Sequence, residues 1–348
     1  MQIINQTIYQ ENPYHSLLYR ALGGRYSARR GTVDDAILSL QRKQGNLLHI
    51  HWEEHPLRKC STGAEAAVVA DYLIARLSYF RKLGGRIIWT VHNIEPHEGE
   101  FRDQFLRYRK ALAGLADHVH VHNLAAIEVL ASQTDIDRSR IVYIPHPSYI
   151  GAYEDTEQTV QPHAQPDEKK ALFFGMLRRY KGLDLLFRAV PEPQKLEPGL
   201  QIAIHGKTVP GDPFAEELQT YSAIEGYDIH AERVEDPDVP GLMRSARCIV
   251  IPYEKFLTSG VALLGLTYGV PVVAPNISQM RELFPPTCQR LLFEPGDATS
   301  LAEKIREAVT LTSDEFDEIN ELNRKRAWYL RPERISTILG TFYDKMKG

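Results

Sequence analysis

The chain has 348 residues, and at roughly 150 residues per domain that length points to two domains, each large enough to bury its own core. Hydrophobic residues make up 43% and charged residues 25%, with 23 glycines and 21 prolines, a balance that excludes disorder and collagen-like repeats. A net charge of −4 argues against general nucleic-acid binding, although residues 1–150 carry 18 Lys and Arg against 15 Asp and Glu (+3) while the rest carries 23 against 30 (−7).

The opening segment MQIINQTIYQENPYH has neither the basic start nor the apolar centre of a leader, and no apolar run approaches the ~20 residues of a membrane span. A cytoplasmic protein is expected. Cys60, Cys248 and Cys288 are too few and too scattered for a disulfide framework or a Cys-rich zinc site, which fits a reduced compartment.

Short apolar runs then alternate with longer helical patterns. QIINQTIY, NLLHIHW, RIIWTVHN, HVHVHN and RIVYIPHP read as strands with helices between most of them, the rhythm of a parallel α/β sheet. Three basic segments, YRALGGRYSARR, RLSYFRKLGGR and RDQFLRYRK, have a helical spacing that would align cations toward an anionic surface such as lipid headgroups. Ordinary solvated faces are the alternative. The polar stretch around 151–168 has no apolar period and reads as a connection between domains. A second series follows: KALFFGML, GLQIAIHG, YDIHAERV, CIVIPY and PVVAPN, with helices such as KGLDLLFRAV and VPGLMRSA. The tail RKRAWYLRPERISTILGTFYDKM is helical in spacing and is expected to cross back onto the first domain. The expected organisation is an α/β protein of two Rossmann-like α/β/α domains, 1–155 and 166–325, followed by a helical 326–348. Such domains facing across a cleft would place ligands at the C-terminal ends of their strands.

Several familiar motifs fail. No GxGxxG follows a strand, and HGKT at 205–208 lacks the earlier glycine of a P-loop. Asp135-Ile136-Asp137 has the form of a metal-binding pair but sits in a polar turn. His51-Trp52-Glu53-Glu54-His55 spells the H-x-x-E-H of a zinc hydrolase, yet that motif needs both histidines on one helical face, and here a strand pattern runs to Pro56. The same strand-end loop remains a place for acid–base groups, or for polar residues without a role.

The turn in FFGMLRRYKGLDLLFRAV is the most specific signal. Gly175 permits a tight turn and close backbone approach, while Arg178, Arg179 and Lys181 would neutralise a diphosphate. A plain βα turn is the alternative. Downstream, Thr258, Ser259 and Gly260 open the helix of LTSGVALLGLTYGVPVVAPN, where free amides and the helix dipole attract phosphate, unless Ser259 is simply a cap. Between them, VEDPDVPGLMRSARC places an acidic loop and Val239 where a base and ribose would be bounded.

These segments carry a resemblance. FFGMLRRYKGLDLLFRA, DVPGLMRSARCIVIPY, LTSGVALLGLTYGVPVVAP and LLFEPGDATSLAEKI, over about 171–310, resemble the second domain of GT-B glycosyltransferases of the group 1, family 4-like type. RIIWTVHNIEPHE and ADHVHVHN resemble their acceptor-side domain, especially in bacterial exopolysaccharide and capsule enzymes. The resemblance implies Arg178 and Lys181 as donor diphosphate ligands, Ser259–Val261 as the phosphate-binding helix start, with Gly260 and Val261 beside Ser259, and His92 as an active-site polar residue. The sequence departs from the retaining pattern: Phe256 and Leu264 stand where two glutamates are found, leaving Glu254 or Glu282 as substitutes for the ribose ligand. PYxxxLTSGxxLLxLxxGxPVVAP is more similar to xanthan-type β-mannosyltransferases, which invert the anomeric centre.

The expected function is therefore transfer of a hexose from a nucleoside-diphosphate sugar, GDP-mannose or a UDP-sugar, to a glycan or lipid-linked saccharide. The expected mechanism is metal-independent, without a cofactor, and favours inversion over retention. Glu53, Glu54, His92 and Glu95 are the candidates for an acceptor base. The basic first domain would contact the inner face of the cytoplasmic membrane, and no nucleic acid partner is implied. The competing readings are a zinc hydrolase using His51, Glu54 and His55, and a non-catalytic sugar-nucleotide-binding protein.

Overall fold

The computed structural model describes residues 1–7, 12–93, 101–209, 211–212, 214–253 and 256–346. The chain forms two units, one of residues 1–147 and 332–348, the other of residues 148–331.

In the first unit, β1 (Gln2–Gln6), β2 (Ser27–Arg30), β3 (Leu47–His51), β4 (Arg86–Thr90), β5 (His118–Val121) and β6 (Ile141–Tyr143) form one parallel sheet in the order β2-β1-β3-β4-β5-β6. Helices on both faces bury a parallel sheet, so its central strands carry near-continuous apolar runs; β3 is buried at every position. The Gly63–Lys82 helix turns Ala66, Ala70, Leu73, Leu77 and Phe80 inward at helical spacing, and Thr62 caps it by accepting from the Glu65 amide at 3.1 Å. Its other side leaves Val68, Tyr72 and Tyr79 exposed.

One basic segment is not helical. In YRALGGRYSARR, Ser27–Arg30 forms the edge strand β2, exposed at all four residues and paired, among the described residues, with β1 alone. Charged side chains on an edge of this kind discourage pairing with another chain, which accounts for the arginines there.

The Pro332–Lys345 helix closes this unit by packing on the short Tyr14–Leu18 helix. Asp344 accepts from Arg25 at 2.6 Å and Tyr26 at 2.7 Å, and Ser336 Oγ accepts from the Ala21 amide at 2.8 Å.

In the second unit, β7 (Lys169–Phe174), β8 (Leu200–His205), β9 (Tyr227–His230), β10 (Cys248–Val250), β11 (Val272–Pro275) and β12 (Leu292–Phe293) form another parallel sheet, ordered β12-β11-β10-β7-β8-β9. The Gly260–Tyr268 helix is buried from Ala262 to its end and packs against the Ser313–Tyr329 helix. Glu154 pairs with Arg244, tying the 151–168 stretch to this unit. All three cysteines are free and buried. Among the described residues no helix is long and apolar enough to cross a membrane.

Candidate active site

In the second unit the β7 strand ends at Phe174 and the chain turns at Gly175, whose φ of 127° suits glycine. The Gly175 amide donates to the His205 carbonyl at 3.0 Å, and the Leu177 amide to the Lys207 carbonyl at 2.9 Å, so the turn is fastened to the end of β8. A one-turn 3-10 helix, Arg179–Lys181, leads to Gly182, where a Cβ would lie 2.5 Å from the Pro252 carbonyl oxygen; the close approach of the two loops requires glycine.

That approach sets Lys181 over the Tyr253 ring, its Nζ 4.2 Å from the centroid. Tyr253 Oη is in turn 2.9 Å from Ser259 Oγ. Ser259 caps the Gly260–Tyr268 helix by accepting from the Ala262 amide at 3.2 Å, and the amides of Gly260 and Val261 have no acceptor among the described residues. A Cβ built on Gly175 would sit 3.9 Å from Val261 Cγ2. Lys181, the Gly175 turn and the helix start therefore share one locality, joined through Tyr253, and burial lowers the Lys181 pKa. Desolvation strengthens a cation's hold on an anion that enters.

Arg178 precedes this turn as the cap of the 3-10 helix and is half-buried. Arg179 faces solvent, bridging Asp184 and Glu217. Thr258 Oγ1 is buried without a partner among the described residues. Val239 is a core residue at the start of the Val239–Ser245 helix, and Glu282 lies on the Ser278–Leu283 helix, its carbonyl accepting from Arg326 at 3.0 Å. Glu254 lies outside the described residues. Phe256 and Leu264 are both buried and serve the core.

In the first unit seven histidines, His15, His49, His51, His92, His120, His122 and His146, gather at the strand ends around Tyr14. Burial is the largest cause holding every one of them below the ordinary imidazole range, to about 3 for His15 and about 4 for His120 and His146. Neutral rings each have one donor and one acceptor, and their partners assign which is which. His120 Nε2 meets the Ile144 carbonyl at 2.8 Å and must donate, so its Nδ1 accepts from Thr90 Oγ1 at 2.9 Å. Thr90 then accepts from His49 Nε2 at 2.7 Å, leaving His49 Nδ1 to accept from Tyr343 Oη at 2.8 Å or Tyr19 Oη at 2.9 Å.

Tyr19 is the junction. Its hydroxyl also lies 3.2 Å from His51 Nε2, and His51 Nδ1 lies 3.0 Å from His92 Nε2. If Tyr19 donates to His49, it accepts from His51 Nε2, His51 Nδ1 accepts from His92 Nε2, and the remaining His92 nitrogen, Nδ1, carries a lone pair. If Tyr19 donates to His51, the order reverses and His92 Nδ1 carries a proton. No partner for His92 Nδ1 is found among the described residues.

The two glutamates of the β3 loop have other partners. Glu53 is fully buried in an ion pair with Arg109, which also donates to Gln133 Oε1 at 2.5 Å and the Asn93 carbonyl at 2.8 Å. Asn93 Nδ2 donates to Glu54 Oε1 at 2.6 Å. Burial, and then the Glu53 charge, raise the Glu54 pKa. Both glutamates thus brace the segment that carries His92. Glu95 lies outside the described residues. His51 ends a strand whereas His55 starts the His55–Arg58 helix, so the H-x-x-E-H spelling does not put its histidines on one helical face. Asp137 accepts from Ser139 and Asp135 pairs with Lys110, so the DxD spelling describes a turn.

Sequence reasoning missed Trp52 and the network behind His92. Trp52 has a φ of 46°, an uncommon conformation for a bulky side chain. The signal for the network was present in the alternation of His49 with His51 and of His120 with His122, since alternate residues of a strand share a face.

Two Rossmann-like units, each with a six-stranded parallel sheet, are the GT-B fold. Anabaena HepE in complex with UDP and glucose superposes with a TM-score of 0.72 at 15% identity, covering 99% of this chain and 100% of that one. Sucrose-phosphate synthase from Thermosynechococcus elongatus gives 0.68 at 17% identity, over 98% and 80% of the two chains. Residues 168–310 match the family described as Glycosyl transferases group 1. A GDP-mannose:glycolipid 4-beta-D-mannosyltransferase of Xanthomonas campestris pv. campestris is 29% identical over 271 residues, 76% of this chain and 70% of that protein. The chain therefore has the GT-B fold, and its second unit is similar to the group 1 glycosyltransferases.

Proposed function

We propose that the protein transfers a hexose from a nucleoside-diphosphate sugar to a hydroxyl of a lipid-linked glycan in bacterial polysaccharide assembly, with inversion at the anomeric carbon. GDP-mannose is the first donor to test, because the Xanthomonas relative is described as using it. The observation that carries the reading is the Lys181–Tyr253–Ser259 link, which puts a desolvated cation beside a helix start with free amides. This arrangement suits a leaving diphosphate: as the bond from the anomeric carbon to phosphate oxygen breaks, the electron pair stays on that oxygen, and Lys181 with the Gly260 and Val261 amides takes the charge. The charge is met by protein groups, so we assign no metal ion to this step. Arg178, Gly175 and Thr258 complete the donor side of the proposal.

On the acceptor side we assign the base to His92. With Tyr19 donating to His49, His92 Nδ1 accepts the proton from the acceptor hydroxyl as its oxygen bonds to the anomeric carbon, and the resulting imidazolium donates through Nε2 to His51. The exposed Val68, Tyr72 and Tyr79 on the Gly63–Lys82 helix, in the more basic half of the chain, support contact with an anionic membrane surface.

The experiment is incubation of the purified chain with GDP-mannose and UDP-hexoses against lipid-linked acceptors, with the product's anomeric configuration read by NMR. We expect transfer with inversion, reduced by about a hundredfold or more in Lys181→Ala. Transfer that survives the substitution undiminished removes the diphosphate assignment, and retention of configuration removes His92 as an inverting base.

A further inference from the structure

Away from the diphosphate turn, the far edge of the second sheet brings together three side chains that nothing above uses. β8 ends at His205 and β9 at His230, and the two residues are direct partners in the parallel ladder. Asp228 lies two residues before His230 and so on the same face of β9. Their ligand atoms all fall within 4.8 Å of one another, with His230 Nε2 2.8 Å from Asp228 Oδ1 and the imidazole rings 4.4 Å apart between centroids. Among the described residues this is the one group of three such side chains able to converge on an ion.

We propose that His205, Asp228 and His230 form a binding site for a divalent transition-metal ion, best matched to zinc. Two imidazoles and one carboxylate supply a borderline donor set that suits zinc and its neighbours and disfavours magnesium, which selects oxygen ligands and retains its water. Tetrahedral zinc at the usual bond lengths holds its donor atoms about 3.3 Å apart, so closing the group onto an ion asks for movements of only about 1 Å by side chains at a sheet edge. Three protein ligands leave a position for water or a bound group, and His205 and His230 line a 420 Å³ pocket together with Glu232, Arg233, Glu235 and Asp238.

The position also has a structural consequence. The His205 carbonyl accepts from the Gly175 amide, and the His230 carbonyl from the Gly206 amide, each at 3.0 Å. An ion clamping the ends of β8 and β9 would stiffen the strand end to which the Gly175 turn is fastened.

The test is isothermal titration of chelator-treated full-length protein with zinc, cobalt and magnesium chlorides, alongside thermal melting with each. We expect about one zinc per chain, a raised melting temperature with zinc, visible cobalt d–d bands of a low-symmetry site, and no comparable response to magnesium. His230→Ala and Asp228→Asn should each weaken zinc binding at least about tenfold. Those two side chains are 55% and 51% exposed, so their substitution leaves the fold intact, which the zinc-free melting curve checks. Zinc binding unchanged in both variants, no binding at all, or an equal response to magnesium overturns the proposal. None of these readouts depends on glycosyl transfer.

Discussion

Trp52 lies flat against His92, ring centroids 4.0 Å apart and planes 11° from parallel. The indole shields one face of the imidazole from water, and the burial that holds His92 neutral comes in part from this neighbour. Replacing Trp52 with alanine lets water in and moves the His92 pKa up toward the usual value of about 6.5. The base role proposed for His92 requires an unprotonated ring, so the acid limb of the kcat/KM profile should shift to higher pH. Glycine at the same position additionally relieves the backbone at φ 46°, and W52G should be the more stable of the two by about 1 kcal/mol. Equal melting curves would show that the conformation carries no strain.

The junction at Tyr19 gives a sharper expectation. Without its hydroxyl, His51 Nε2–H loses its acceptor, the His51 proton moves to Nδ1, and His92 is left with its proton on the outward nitrogen. Tyr19→Phe should lower kcat between roughly tenfold and a hundredfold with little change in KM, less than the ~10²–10⁴ expected for removing the base itself. Nitrogen-15 NMR of labelled histidines should show the His92 tautomer reversing. A lowered kcat with an unaltered tautomer would rule the relay out.

Arg109 and Glu53 form a pair that is buried on both sides. Arg109→Met strands a carboxylate, which costs about 3–5 kcal/mol, and frees the Asn93 carbonyl that positions the His92 segment. Glu53→Gln should act through stability as well. If Glu53 were instead the proton acceptor, E53Q would lose activity while melting like the parent, and a side-by-side assay separates the two.

Acid should unfold the first unit before the second. The seven rings have folded pKa values below the unfolded one, chiefly through burial, so their contribution is present above about pH 6.5 and is lost as the pH falls toward the folded values. Against a domain stability of about 5–15 kcal/mol, a loss of this sign weakens the first unit as the pH falls below about 6.5. Urea titrations across this range should show the loss, and a first unit still folded at pH 4.5 would mean that the rings are reached by water.

The turn and helix start proposed to hold the donor were legible as neighbours because their geometry is local. Gly175, Lys181 and the Ser259 helix start each sit within a short βα connection, where residue types and spacing report geometry directly. Tyr253 was missed because its link to Lys181 and Ser259 depends on how two separate loops pack. Glu53 and Glu54 look like acid–base groups from their place at a strand end, but Arg109 and Asn93, which occupy them, lie some distance along the chain. β2 escaped notice because four exposed residues have no alternation to read. Tyr343, which completes the network at His49, comes from the last helix and is invisible to any local pattern.

That last contact bears on how the polypeptide is made. The Pro332–Lys345 helix, and Tyr343 with it, leaves the ribosome only after the entire second unit has been translated. Until then the nascent amino-terminal sheet waits with one side of its histidine cluster uncovered, so chaperone occupancy or proteolytic nicking during synthesis should fall on that half.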